Sequence, residues 1–240
     1  MYVAFASHGR RLELCGENLE SLMYPKQTME AERYILTIYK DDVSHLLKNK
    51  RLMKYIEDGK LDVILAPVNL KTCNKWYWAM QMYDNLPITV VDDDHVYFNR
   101  ILETFYDSFV KHPDCVCGAI GSIVQFTVPR KAWKNRVPKN NVPCRGVHLW
   151  GGGGICYPPH FDKYYMPLCS YFKDNECLQT NEDIVMDHIE RQHDIGVVTT
   201  GPKNSISPIK SIDTINPTRY IWTKNIQHVI DLLQQIHRVD

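Results

Sequence analysis

Two rhythms of apolar and polar positions alternate along the first half of the chain. YVAFAS, residues 2 to 7, is a continuous apolar run of strand length, after which Leu12, Cys15, Leu19, Leu22 and Met23 recur at helical spacing. YILTIY, 34 to 39, predicts a second strand, followed by acidic Asp41 and Asp42 and a helix carrying Val43, Leu46 and Leu47. LDVILAPV, 61 to 68, predicts a third strand, and a helical segment around 74 to 83 leads into a fourth, PITVV. Phe98, Ile101, Leu102, Phe105 and Phe109 mark the next helix. Strands alternating with helices in this order predict an α/β fold, a mostly parallel sheet covered by helices on both faces.

The rhythm stops after residue 112. From residue 113 Pro and Gly become frequent, CVCGAIG and SIVQFTV are short strand candidates, and KAWKNRVPKNNVP reads as an exposed basic loop. HLWGGGGICYPPHFD, 148 to 162, sets four glycines between an aromatic residue and an apolar strand. A run of Gly lets backbone approach a ligand closely or adopt positive φ. It is not a dinucleotide fingerprint, because those glycines open a helix and Pro158 and Pro159 forbid a helix interior here. A flexible linker is the alternative, against which flanking Trp150 and Tyr157 argue for a packed floor. TNEDIVMDHIERQHDIG then puts Glu182 and Asp183 at the start of a helix whose apolar side is Ile184, Val185 and Ile189. Acids in a first turn also serve as dipole and capping partners. Near the end, Ile226, Val229, Ile230, Leu233 and Ile236 form one apolar stripe on a helix predicted to begin at Thr223, suited to docking on its own domain or on a partner helix.

Composition narrows the function classes. The 240 residues, 44% of them hydrophobic, are enough for one compact unit, and 28 basic residues balance 28 acidic ones. No global field then favours nucleic acid or an anionic membrane, so function must come from a local site. The longest apolar runs fall far short of a bilayer span, and the first strand lacks a basic flank, so the expectation is a soluble, unprocessed protein with no transmembrane segment. Eight cysteines without a pairing rhythm favour a reducing, cytoplasmic setting.

The candidate chemistry begins where PITVV runs directly into Asp92, Asp93 and Asp94. Open α/β sheets bind ligands outside the carboxyl ends of their strands. Three adjacent carboxylates there are unfavourable unless water or a cation screens them, and oxygen ligands suit a hard ion such as Mg²⁺ or Mn²⁺ that also holds substrate phosphates. A solvated acidic turn is the alternative.

The order of these pieces resembles the GT-A glycosyltransferase family: SHGRR after the first strand, YKDD after the second, VNLKTCNKWYW after the third, VDDD after the fourth, then GGGGICYPP and an NED helix. The resemblance spans roughly residues 1 to 200. It implies a single GT-A-like catalytic domain over residues 1–240, with a nucleotide-sugar half (1–112) and an acceptor half (113–240) that carries the C-terminal helix. It implies transfer of a sugar from a nucleotide sugar, a UDP-sugar above all, to a glycan, lipid-linked sugar or protein hydroxyl, with Mn²⁺ or Mg²⁺ on the donor diphosphate. VDDD would then be the family's metal-holding DXD motif, in a step of glycan biosynthesis. By the same resemblance Asp94 is the leading metal ligand, with Asp92 near the ribose or the ion, Asp93 turned into the fold, and His193 a further candidate ligand. Ser7, Arg11, Asp41 and Lys75 match positions around the base and phosphates, and Gly152 and Gly153 border the sugar pocket. The ED pair fits the general base of an inverting transfer, with Asp183 ahead of Glu182.

Two other functions compete. A nucleotidyltransferase acting on a sugar phosphate would use a similar sheet and aspartates, although it calls for a basic Gly-rich loop after the first strand and SHGRR has one Gly. A zinc-binding interaction module would use Cys144, His148, Cys156 and His160, at a spacing with no CxxC knuckle.

Overall fold

The computed structural model describes residues 1–123, 136–137, 140–168, 171, 174–200 and 206–208. Four apolar runs form the parallel strands β1 (Tyr2–Ala6), β2 (Arg33–Tyr39), β3 (Leu61–Ala66) and β4 (Ile88–Val90). The remaining strands follow in chain order. They are β5 (His95–Tyr97), β6 (Val116–Gly118), β7 (Gly121–Ile123), β8 (Arg136–Val137), β9 (Asn140–Cys144), β10 (Val147–Leu149), β11 (Ile155–Tyr157), β12 (Val197–Thr199) and β13 (Ile206–Pro208). Eight strands make one sheet in the order β3-β2-β1-β4-β11-β6-β12-β9, while β10-β7-β8 and β13-β5 form small side sheets. The chain is a single α/β domain with a mostly parallel mixed sheet, as the periodicity predicts.

Helices α1 (Gly16–Leu22), α2 (Val43–Leu46), α3 (Lys50–Glu57), α4 (Asn74–Met82) and α5 (Ile101–Lys111) follow successive strands. The strand pleat sends alternate residues of β1 to opposite faces. Tyr2 and Ala4 pack with Trp76, Tyr77 and Met80 of α4, whereas Val3 and Phe5 pack with Leu19 and Leu22 of α1 and with Leu102 and Phe105 of α5. Val3, Phe5, Leu19, Leu22, Leu102 and Phe105, all fully buried, contribute roughly 1.5–3 kcal/mol each. The helix predicted through Val43, Leu46 and Leu47 stops after one turn. Asn49 interrupts it by accepting hydrogen bonds from the backbone N–H of Arg51 and Leu52, both 3.1 Å, and so caps α3 as a separate helix.

The decisive feature is β11. It runs antiparallel between β4 and β6, with Ile155 opposite Val90 and Tyr157 opposite Ile88. Residues just before Ile155 must therefore lie just beyond Val90, at the carboxyl end of the sheet. That register brings the glycine run to the acidic run. Helices α6 (Asp162–Tyr165), α7 (Glu176–Thr180) and α8 (Glu182–Gln192) complete the described fold. The C-terminal stripe from Ile226 to Ile236, and most of the basic loop from Lys131, lie outside the described residues.

Candidate active site

β4 ends at Val90 and the chain turns through Asp92, Asp93 and Asp94 into β5. Two buried groups fix that turn. Asn18 of α1 donates its side-chain amide to the carbonyls of Asp92 and His95, both at 2.7 Å. Tyr97 accepts the Asp92 N–H at 2.9 Å and donates its hydroxyl to the Gly152 carbonyl at 3.2 Å, tying the turn to the glycine run. Sequence reasoning missed both residues, because the bond from Asn18 to Asp92 spans 74 positions and no local spacing announces it.

The three aspartates have different surroundings. Asp93 is buried and pairs with Arg11 from the turn after β1, which also reaches Asp94 at 3.1 Å. Burial pushes the Asp93 carboxyl up to about 6, against the pull of Arg11 and the nearby Ser7 hydroxyl. Asp94 is also pushed up by burial, but the adjoining His95 ring and the charges of His95, Arg11 and Lys75 outweigh this and hold it below the usual carboxylate range. Asp92 binds Lys75 at 2.6 Å.

A second acidic pair faces this turn. Glu182 pairs with the same Lys75 ammonium, so one buried cation of α4 bridges the turn and the first residue of α8. Burial lowers the Lys75 ammonium's hold on its proton, but Asp92, Glu182 and Asp183 outweigh it and raise the group well above its ordinary value. Burial likewise pushes Glu182 and Asp183 well up from the usual carboxylate range, with Lys75 only partly opposing. The Asp183 carboxylate reaches out of the first turn of α8 and accepts the Gly151 N–H at 3.2 Å. The glycines form a tight turn, Gly151–Gly153, and Gly154 at φ +82° reverses the chain into β11. A Cβ on Gly151 would stand 2.7 Å from the Asp183 carboxylate and 2.9 Å from the Lys75 ammonium, so only Gly lets the backbone meet the acids. We expect Gly151→Ala to keep the fold but displace one of these groups and lower turnover by ~10²-fold, the usual penalty for a misplacement near 1 Å. Wild-type turnover in that variant would show that the turn does not position Asp183.

The residues expected from sequence are distributed as follows. Ser7, Arg11, Lys75, Asp92, Asp93, Asp94, Glu182 and Asp183 converge around the carboxyl ends of β1 and β4. Gly152 and Gly153 belong to the glycine turn that closes the site. Asp41 is exposed after β2, and its neighbour Asp42 is the one that accepts the Gly9 N–H, at 2.8 Å. His193 is apart from the acidic group: it follows the last turn of α8, its ring 4.9 Å from that of Tyr164. It stands eleven positions after Glu182, the first residue of this helix, about 16 Å of axial rise. His95, not His193, is the histidine beside the acidic turn. Ligand atoms of Asp92, Asp94 and His95 all lie within 4.8 Å of one another, the one such group among the described residues. Asp94 Oδ1 and His95 Nδ1 lie 2.6 Å apart as an ion pair. Two carboxylates and an imidazole thus fit a divalent cation. The proposed zinc set does not assemble: Cys156 lies inside the sheet on β11, while His160 is exposed beside Asp84.

No family model and no curated protein matches the sequence. Solved structures do match the fold. S. aureus TarS, a GT-A-like glycosyltransferase, superposes as its residues 1–349 with a TM-score of 0.50 at 16% identity, over 82% of this chain and 57% of that one. A longer TarS structure gives the same TM-score, with 35% of its chain covered. The 4-diphosphocytidyl-2C-methyl-D-erythritol synthase of Anaerococcus prevotii DSM 20548, a nucleotidyltransferase, gives a TM-score of 0.52 at 15% identity, over 92% of this chain and 97% of that one. The chain therefore has a GT-A-like fold. It spans little more than half of the shorter TarS chain. No helix among the described residues is long and apolar enough to cross a membrane.

Proposed function

We propose that the protein is a metal-dependent glycosyltransferase that moves a sugar from a nucleotide sugar, a UDP-sugar above all, to a hydroxyl of a glycan, lipid-linked sugar or protein. One observation carries this choice over nucleotidyl transfer: the second acidic pair, Glu182 and Asp183, faces the metal-fitting turn across Gly151. A sugar hydroxyl must lose a proton as it attacks, and a positioned carboxylate takes it. The phosphate nucleophile of a nucleotidyltransferase is already an anion and needs no base. The second reading stays open because the synthase from Anaerococcus prevotii matches nearly end to end.

In this reading Asp92, Asp94 and His95 would hold Mn²⁺ or Mg²⁺. A divalent ion bound there supplies Lewis-acid neutralisation of charge on the leaving diphosphate, worth several kcal/mol. Arg11 anchors Asp93 and Asp94 and keeps the turn from splaying, and Ser7 closes the floor beside Asp93. Lys75 keeps Asp92 and Glu182 together despite their like charge. Asp183 receives the acceptor proton, and the Gly151 N–H holds its carboxylate in place. Calorimetry of Asp94→Ala tests the metal reading. The variant should fold normally, bind UDP-sugar in Mn²⁺ at least ~10-fold more weakly, and lose the Mn²⁺ dependence of binding. Unchanged, still Mn²⁺-dependent affinity would remove Asp94 from the site.

A further inference from the structure

The inner side of α1 carries polar groups as well as apolar ones. Leu19 and Leu22 pack in the core, while Asn18, Ser21 three residues on, and Gln27 just beyond the helix are buried polar side chains. All three bind the backbone that leads from the acidic turn through β5. Asn18 Nδ2 donates to the Asp92 and His95 carbonyls, both at 2.7 Å. The Ser21 hydroxyl accepts the Tyr97 N–H at 3.0 Å and donates to the Asn18 carbonyl at 2.7 Å. Gln27 Nε2 donates to the Phe98 carbonyl at 2.8 Å and to the Ser21 carbonyl at 2.7 Å. Of the three, Asn18 alone joins residues whose side chains belong to the metal-fitting group. It draws together two carbonyl oxygens three residues apart in sequence, with Asp93 and Asp94 between them. Converging carbonyls repel in a buried place unless one group donates to both, and a primary amide has the two hydrogens this requires. A hydroxyl has one.

We propose that Asn18 is a positioning residue for the divalent cation, an inference that rests on the metal reading of the site: by bridging the Asp92 and His95 carbonyls it presets the turn from which Asp92, Asp94 and His95 reach the ion. Adjacent carboxylates repel one another, so a turn left to itself would spread them. Gathering them again when the ion arrives would cost affinity. A buried amide that holds the turn beforehand removes that cost, as any preorganising contact does. Asn18 acts through backbone alone and touches neither the ion nor the substrate.

Titration of the full chain with Mn²⁺, followed by the electron paramagnetic resonance of the free aqua ion, reads affinity without turnover. Asn18→Asp keeps the shape but has at most one hydrogen to donate, and it should bind Mn²⁺ ~10- to 100-fold more weakly, the usual effect of losing a group that orients ligands. Gln27→Met removes equally buried bonds farther along the chain, so it should lower the urea midpoint yet leave Mn²⁺ affinity close to wild type. Hydrogen exchange of the wild type needs no variant to fold: the amides of residues 92 to 97 should be protected before Mn²⁺ is added and change little afterwards. Unchanged Mn²⁺ affinity in folded Asn18→Asp, an equal loss in Gln27→Met, or protection of residues 92 to 97 that appears only with Mn²⁺ would overturn the role of Asn18 and leave the metal site in place. Absence of Mn²⁺ binding by the wild type would overturn both.

Discussion

Asp183→Asn is expected to leave donor binding near wild type and to lower turnover by ~10²- to 10⁴-fold, the range for removing a general base. The substitution keeps size and leaves an oxygen to accept the Gly151 N–H, so the local geometry survives. What it removes is the capacity to take a proton. Urea unfolding of the variant separates any loss of first-turn helix stability, where Asp183 is one of two acids, from the loss of turnover. The pH profile gives an independent check. Burial raises the carboxyl, and a base works only when deprotonated, so wild-type turnover should climb as pH rises through a value above the ordinary carboxylate range. Near-normal turnover in Asp183→Asn would shift the assignment to Glu182 or to a retaining mechanism.

Lys75→Met is expected to destabilise the fold by ~3–5 kcal/mol at neutral pH, because removing one partner leaves the others as uncompensated buried charges. Lys75 is the cation that joins Asp92 to Glu182, and its side chain is 8% exposed. The loss should shrink in acid. In the variant, Glu182 and Asp183 lose the group that holds their carboxyls down, so their folded-state values rise further above the unfolded ones. A carboxyl raised in the folded state binds more protons there than in the unfolded state. Its contribution is therefore present at low pH and fades as pH rises through the raised value. Urea unfolding at pH 4.5 and pH 8 measures both limits. A small, pH-independent loss would make Lys75 an ordinary helix-surface charge.

The sheet was legible because buried parallel strands and amphipathic helices have different periods, and the run from Tyr2 to Phe109 obeys both. The acidic turn was legible because three carboxylates interrupt a buried strand's end. What periodicity could not show is register across the sheet. That β11 enters antiparallel between β4 and β6 depends on contacts of residues far apart in sequence, and on it rests the meeting of Gly151 with Asp183. The same limit hid Asn18 and Tyr97. It also left the first-turn acids of α8 ambiguous, since a cap and a base look identical until the partner is known. His95, adjoining the aspartates in DDDH, carried a local signal, whereas His193 was weighed for its place near the NED helix and lies a helix length away.

The central claim is metal-dependent glycosyl transfer at the carboxyl end of β4. Its most direct test offers the protein, with Mn²⁺ and after chelation, two donor sets: a panel of UDP-sugars with hydroxyl acceptors, and nucleoside triphosphates with sugar phosphates. The account predicts Mn²⁺-dependent release of nucleoside diphosphate from a nucleotide sugar, and no pyrophosphate from the triphosphates. Pyrophosphate release from a triphosphate, with no turnover of any nucleotide sugar, would contradict it and establish nucleotidyl transfer.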